Sequence, residues 1–126
     1  MDAVDDNFPA LNKSFSEYIE KYSFLNYLDE FRLDIGYNIQ RYYPGQGFYK
    51  EHCEHMGKTS TKVLAWSLYL NTIKDGGETM FTTYDKKIKA ESGKISIWPA
   101  YWTHAHKGIV SNTETKYIAT GWFSFK

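Results

Sequence analysis

The chain has 126 residues, a length that predicts one domain able to bury a hydrophobic core. Its 15 basic and 15 acidic residues balance, so no charged field points to a nucleic-acid partner. Cys53 is the single cysteine, which excludes an internal disulfide, and no apolar run resembles a signal core or spans a membrane, so we expect a soluble, intracellular, cytoplasmic protein without a membrane partner.

The first quarter of the chain predicts an arm and then a helix. Residues 1–14 are expected to form a loose N-terminal arm. Ser14 and Glu17 form a capping-box pattern, and apolar residues then recur at helical spacing, which predicts helix at about 15–31, either continuous or with a second short helix after Ser23. We expect this helical region, 15–33, to buttress the rest of the domain.

The rest of the chain alternates short extended stretches with turn residues. Strands or extended segments are predicted at residues 37–43, 48–55, 63–71, 78–81, 87–90, 95–98, 104–110 and 116–125. Many short strands with frequent turns indicate an antiparallel sandwich or barrel. The predicted class is therefore mainly β with an N-terminal helix (α+β), with the β region at 36–126 inside a single domain at 15–126.

Two histidines and a carboxylate lie far apart in the sequence but could meet in such a structure. His52 and Glu54 are separated by one residue, so on a strand they would face the same side while Cys53 faces away. A histidine from a facing strand would complete a 2-His-1-carboxylate triad. Such a triad binds Fe(II) and leaves coordination positions open.

The residues alone leave alternatives open at this site. A His-x-Glu pattern is more often a solvated strand end than a metal site, and His55 offers a further ligand beside Glu54. His104 and His106 would share a strand face, so either could be the distal ligand, with the other behind it or at the surface. Zinc is the competing metal, but a structural zinc site would normally use more cysteines.

Four ordered sequence blocks resemble the prolyl 4-hydroxylase-like 2-oxoglutarate/Fe(II) dioxygenases, over about residues 37–125. The blocks are QRYYPGQGFYKEHCE at 40–54, LYLN at 68–71 followed by GGETMF at 76–81, GK at 93–94 and WP at 98–99 leading to WTHAHKG at 102–108, and KYIATGWF at 116–123. Many members of the family have Asp where Glu54 stands. An HCE motif such as this one resembles the phage and marine bacterial type.

The resemblance implies a double-stranded β-helix, or jelly roll, of cupin-like architecture with Fe(II) between its sheets. His52, Glu54 and His106 match the family's iron ligands and are therefore the expected catalytic residues. Lys116 matches the basic residue that pairs with the C5 carboxylate of 2-oxoglutarate. In the prolyl 4-hydroxylases this residue follows the distal ligand by ten positions, which selects His106 over His104.

Four further residues match positions that line the cosubstrate pocket of the family: Tyr69, Tyr42, Thr120 and Trp122. Tyr69 matches a tyrosine that contacts the C5 carboxylate. Tyr43 is an alternative to Tyr42, because the Pro-Gly loop that follows could align one residue differently.

The implied activity is that of a hydroxylase with Fe(II) as cofactor, 2-oxoglutarate and O₂ as cosubstrates, and ascorbate as a candidate additional cofactor. The reaction would hydroxylate a C–H bond in a peptide or small-molecule substrate, with a peptidyl proline as the candidate, and release succinate and CO₂. The alternative is a non-catalytic, cupin-like metal- or ligand-binding module, because a fold does not guarantee chemistry. The sequence predicts neither the prime substrate nor the oligomeric state.

Overall fold

The computed structural model describes residues 8–126, which form one N-terminal helix and two antiparallel β-sheets. The helix, α1, spans Pro9–Lys21. The strands are β1 Phe31–Leu33, β2 Asn38–Tyr42, β3 Lys62–Tyr69, β4 Thr79–Phe81, β5 Lys86–Ile88, β6 Ile95–Pro99, β7 His106–Gly108 and β8 Lys116–Phe125, and 3₁₀ turns lie at Ser23–Tyr27, Gly57–Thr59, Thr82–Tyr84 and Trp102–His104. None of the helices in this part of the chain is long and apolar enough to cross a membrane.

The helix begins and ends earlier than the sequence predicted. It starts at Pro9, where a proline in the first turn costs no hydrogen bond, so residues 9–14 of the predicted arm are helical. Residues 1–7 of that arm lie outside the described residues. A continuous helix to residue 31 is wrong, whereas the alternative of a second short helix after Ser23 agrees with the 3₁₀ helix at Ser23–Tyr27, which is followed by β1. Apolar spacing in this region reflects packing on the core rather than one continuous helix.

The larger sheet has β8 at its centre. Its strand order is β1–β8–β3–β6, and β2 also pairs with β8, along the half of that strand that β1 does not cover. Alternation along β8 places Lys116, Ile118, Thr120 and Trp122 on one face. The opposite face carries Phe123, which stacks on Phe15 of α1 at a ring distance of 4.5 Å. The helix therefore covers the face of the sheet that carries Phe123, and the opposite face, with Lys116, points into the space between the two sheets.

The smaller sheet has the order β5–β4–β7. The extended segment predicted at 48–55 does not form a strand in it, and His52 instead makes one isolated bridge with His106. The backbone N–H groups of Glu54 and His55 both donate to the carbonyl of Ala100, at 3.0 and 2.8 Å, so the chain turns away from β7 directly after the bridge. That change of partner is the reason the pairing stops at one residue.

The two sheets enclose a cavity of about 230 Å³. One wall is the inner face of β2, β8, β3 and β6, and the other is built from β4, β7 and the segment that contains His52 and Glu54. This mainly β architecture with an N-terminal helix is the class that the sequence predicted.

Candidate functional site

Three of the predicted site residues meet at one end of the cavity. Nε2 of His52 lies 3.2 Å from Oε1 of Glu54, and Nε2 of His106 lies 3.4 Å from the same oxygen. One potential ligand atom from each residue lies within 4.8 Å of the others. Within residues 8–126, no other group of three or more histidine, cysteine or acidic side chains is arranged to hold a metal ion.

Backbone carbonyls orient both imidazole rings of this cluster. Nδ1 of His52 lies 2.9 Å from the carbonyl oxygen of Lys50, and Nδ1 of His106 lies 2.9 Å from the carbonyl oxygen of His104. A carbonyl can only accept, so each Nδ1–H is the donor and the neutral ring carries its lone pair on Nε2. Rings held in this way by outer hydrogen bonds are typical of histidines that ligate metals.

The electrostatics of the cluster keep Glu54 ionised. Burial raises the pKa of Glu54, but the hydrogen bonds that His106 and His52 donate when protonated on Nε2 outweigh burial and hold that pKa well below its usual range. For His52, burial lowers the pKa, while the hydrogen bonds to Glu54 and to the carbonyl of Lys50 raise it, with a net upward shift. The cluster therefore attracts a positive charge, which is either a proton or a metal ion.

His104 does not join the cluster. It ends a 3₁₀ turn, and its ring lies 5.1 Å from the ring of Tyr84 and 6.2 Å from that of Phe81, beside a second cleft. The expectation that His104 and His106 share a strand face is wrong, because β7 begins only at His106. His104 contributes its backbone carbonyl, which accepts the hydrogen bond from His106.

His55 and Cys53 also point away from the cluster. Nδ1 of His55 lies 3.0 Å from the carbonyl oxygen of Lys62, and its ring packs on Tyr101 at 4.6 Å. The Cys53 thiol donates to the carbonyl of His55 at 3.7 Å. Of the candidate ligands that the sequence left open, the structure assembles only His52, Glu54 and His106.

The other end of the cavity holds a buried cation. Lys116 is only 8% exposed, and its Nζ lies 5.5 Å from the ring centre of Tyr69 and 6.0 Å from that of Tyr42. No carboxylate among residues 8–126 lies within ion-pair distance of it. Burial lowers the pKa of Lys116 to about 8, against an opposing effect of Glu78. An unpaired buried charge is costly, so a bound anion would complete this end.

Tyr42, rather than Tyr43, faces the cavity. Tyr42 is the register partner of Lys116 and lines the cavity wall. Tyr43 is 48% exposed, and the guanidinium of Arg41 lies 4.5 Å from its ring centre. The alternation of β2 thus directs the two neighbouring tyrosines to opposite sides.

Tyr69 lies behind the cavity wall. It is fully buried, and its hydroxyl lies 2.5 Å from Oγ1 of Thr79 and donates to the carbonyl of Ile88 at 3.3 Å. Thr79 itself lines the cavity, whereas Tyr69 presents its ring toward Lys116. The hydroxyl of Tyr69 therefore bonds within the protein, and Thr79 lies between that hydroxyl and the cavity.

Thr120 and Trp122 line the cavity, as expected for neighbours of Lys116 on β8. Sequence reasoning did not identify several other lining residues: Asn38, Gln40, Gln46, Phe48, Ser67, Thr79, Trp98 and Glu114. Strand alternation from Tyr42 and Tyr69 would have found Gln40 and Ser67. Phe48 and Trp98 pack directly on the cluster, at ring distances of 4.4 Å from His52 and 5.1 Å from His106. No sequence pattern signals those two contacts.

A comparison with protein-family models matches residues 37–124 to the 2OG-Fe(II) oxygenase superfamily. A comparison with curated proteins finds no match. The match covers the cluster, Lys116 and every residue that lines the cavity.

Several solved structures are similar to this chain. A viral collagen prolyl hydroxylase from Paramecium Bursaria Chlorella virus-1, in its 2OG complex, is 22% identical with a TM-score of 0.72, covering 100% of this chain and 76% of that one. A Pseudomonas putida prolyl-4-hydroxylase is 21% identical with a TM-score of 0.65, covering 90% and 63%. A Trichoplax adhaerens prolyl hydroxylase in complex with a hypoxia inducible factor peptide fragment is 16% identical with a TM-score of 0.59, covering 86% and 55%. These likenesses confirm the predicted jelly-roll, or double-stranded β-helix, fold.

Proposed function

This chain belongs to the 2OG-Fe(II) oxygenase superfamily, and we propose that it is an Fe(II)- and 2-oxoglutarate-dependent dioxygenase that hydroxylates a C–H bond and releases succinate and CO₂. One observation carries the proposal. A single cavity holds the His52, Glu54 and His106 cluster at one end and the unpaired Lys116 at the other. A metal ion suits the first end and a carboxylate suits the second, so a dicarboxylate that also ligates the metal would use both.

The three residues of the cluster would hold the metal. Each histidine offers a lone pair on Nε2, and Glu54 offers an ionised carboxylate oxygen between them. Two imidazoles and one carboxylate form the ligand set of non-haem Fe(II) oxygenases, in which the remaining positions stay open. Bound iron supplies the redox chemistry that activates O₂.

Lys116 would hold the distal carboxylate of 2-oxoglutarate. Its ammonium can form a charge-assisted hydrogen bond in a site from which water is largely excluded. Tyr42, Thr120 and Trp122 line the space between the two ends and would enclose the cosubstrate. Tyr69 would act through Thr79, which its hydroxyl positions at the cavity wall.

A peptidyl proline is the substrate that we propose. Phe48 is 51% exposed while its ring packs edge-on against His52, so an apolar aromatic surface lies beside the metal cluster at the protein surface. Such a surface suits an apolar ring such as that of proline, held with its C–H bonds toward the cluster. The similar structures reported above are those of prolyl hydroxylases, one of them bound to a peptide fragment, which supports the same substrate class.

The direct test measures succinate formation from 2-oxoglutarate with Fe(II), O₂ and a panel of proline-containing peptides, with hydroxyproline detected in the peptide by mass spectrometry. Omission of Fe(II), or addition of a chelator, is the control. We expect succinate and hydroxyproline to form in equal amounts with a productive peptide. Protein that binds neither metal nor 2-oxoglutarate would contradict the proposal, whereas binding without turnover on any substrate would favour the non-catalytic module.

A thermal-shift measurement separates both possibilities from a purely structural domain. A ligand that binds only the native state stabilises it by an amount that grows with its concentration. We expect Mn(II), used in place of Fe(II) to prevent oxidation, to raise the melting temperature, and 2-oxoglutarate to raise it further. A structural domain would show neither increase.

A further inference from the structure

Besides Lys116, the cavity wall contains an unpaired hydroxyl, at Ser67 on β3. Ser67 is 1% exposed, and its Oγ has no hydrogen-bond partner among the described residues. The rest of β3 from Val63 to Tyr69 is apolar or aromatic, and serine is not a residue that such a buried strand favours. A buried hydroxyl without a partner is destabilising, so a ligand group that accepts a hydrogen bond from it would explain a serine at this position.

Ser67 belongs to a row of polar residues that crosses the inner face of the large sheet. Its register partners are Thr120 on β8 and Ser96 on β6, and Thr120 in turn pairs with Asn38 on β2. Register partners place their side chains on the same face. Asn38, Thr120 and Ser67 line the cavity, whereas Ser96 lies beyond it and lines the second cleft.

This row lies on the metal side of Lys116. Lys116 and Thr120 are four residues apart on β8, which corresponds to about 13 Å between their Cα atoms, and the lysine side chain takes up part of that distance. The next row beyond Ser67 contains Trp98, whose ring packs on His106 at 5.1 Å. A dicarboxylate held by Lys116 and directed toward the cluster would therefore bring its second acidic end to the polar row.

We propose that Ser67 is a cosubstrate-binding residue whose hydroxyl donates to the keto-acid carboxylate of 2-oxoglutarate, at the end opposite Lys116. The inference rests on the proposed function, because it takes 2-oxoglutarate as the ligand. The bound carboxylate supplies the acceptor that Ser67 lacks. The ammonium of Lys116 and the hydroxyl of Ser67 then bind the two opposite carboxylates, so together they select a dicarboxylate of a particular length.

The test is calorimetric titration of 2-oxoglutarate into Mn(II)-loaded protein without O₂, for wild type, Ser67→Ala and Ser96→Ala. A hydrogen bond to a charged group corresponds to roughly a 10-fold change in affinity, so we expect Kd to rise about 10-fold in Ser67→Ala. Ser96→Ala is the matched control, because it removes the same hydroxyl from the same row outside the cavity. We expect its Kd, and the Mn(II) affinity of both variants, to match wild type.

A melting measurement without ligand excludes a merely structural role. Removing an unpartnered buried hydroxyl should leave the melting temperature of ligand-free Ser67→Ala equal to or above that of wild type, while the increase caused by 2-oxoglutarate becomes smaller. An unchanged Kd, or a ligand-free Ser67→Ala that melts below wild type, overturns the inference and leaves the proposed function intact. Wild type that fails to bind 2-oxoglutarate overturns both.

Discussion

At one end of the cavity three titratable side chains satisfy one another, whereas at the other end Lys116 is buried without an anion. Glu54 accepts from a histidine that carries a proton on Nε2, so protons can satisfy the metal end when no metal ion is bound. Lys116 has the rings of Tyr42 and Tyr69 as neighbours and no ion-pair partner among the described residues. A metal ion must therefore displace protons at the metal end, whereas an anion supplies the missing opposite charge at the lysine end.

The two ends should respond in opposite ways to the loss of a residue. Removing a member of the metal cluster leaves its partners without hydrogen bonds and destroys a ligand set. Removing the charge of Lys116 relieves a desolvation penalty in the ligand-free protein, because no partner is left behind. At the metal end, a substitution should thus lower both the melting temperature and the activity. At the lysine end, it should weaken 2-oxoglutarate binding without lowering the melting temperature of the ligand-free protein.

The largest effect is expected for His106→Ala, which removes one of three metal ligands. We expect succinate formation to fall at least about 100-fold and Mn(II) affinity to fall with it, because even outer-shell changes cost 10- to 100-fold. His104→Ala is the matched control two residues away. Its backbone carbonyl still accepts from His106, so we expect it to retain most of its activity. Loss of activity in His104→Ala with survival of His106→Ala would reverse the assignment of the distal ligand.

Lys116→Met tests the other end, where stability and binding should move in opposite directions. We expect Kd for 2-oxoglutarate to rise by about 100-fold, since a charge-assisted contact is lost, while Mn(II) affinity stays unchanged. The ligand-free variant should melt at or above the wild-type temperature. Lys94→Met is the control, because Lys94 is partly exposed and pairs with Glu91 outside the cavity. A ligand-free Lys116→Met that is clearly less stable than wild type would show that Lys116 has a protein partner.

Strand alternation and the family resemblance together were sufficient to predict the two ends of the cavity. The β8 strand occupies the predicted residues 116–125, and its alternation correctly groups Lys116, Thr120 and Trp122. His52 and Glu54 meet although no continuous strand holds them, because a single bridge still keeps that part of the chain extended. The two-residue spacing of His52 and Glu54 thus predicts that their side chains meet, even though the predicted strand at 48–55 does not form.

The features that the sequence did not predict depend on contacts between distant segments. The backbone N–H groups after His52 bond the carbonyl of Ala100 instead of continuing the pairing with β7. His104 lies in a 3₁₀ turn, so its side chain does not share a strand face with His106. Neither effect has a local pattern, because each depends on which distant segment lies nearby. Ser67 lies in an apolar run whose inner face becomes apparent only once the register with Thr120 is known. The hydrogen bond between Tyr69 and Thr79 joins the two sheets, so it has no local pattern either.

A pH titration of 2-oxoglutarate binding sharpens the contrast between the two ends. Burial lowers the pKa of Lys116 to about 8, so the ammonium is largely present at pH 7 and largely lost at pH 9. Binding requires the charged form, and we expect Kd to rise by up to about 10-fold between these pH values. The calorimetric Kd of Mn(II)-loaded Lys116→Met should not show this increase. An equal increase in that variant would assign the titration to another group.

The smallest effects separate Tyr69 from Tyr42, the two tyrosines whose rings flank Lys116. Tyr69→Phe removes the buried hydroxyl that bonds Thr79 and Ile88, so the free energy of unfolding, measured in urea, should fall by about 1–3 kcal/mol. Its Kd for 2-oxoglutarate should change by less than about 3-fold, because the hydroxyl already bonds within the protein. Tyr42→Phe should show the opposite pattern, with nearly wild-type stability and weaker binding, because Tyr42 lines the cavity. A Tyr69→Phe variant that loses 2-oxoglutarate affinity as strongly as Tyr42→Phe would mean that its hydroxyl leaves Thr79 for the cosubstrate, and that the lysine end rearranges when its anion arrives.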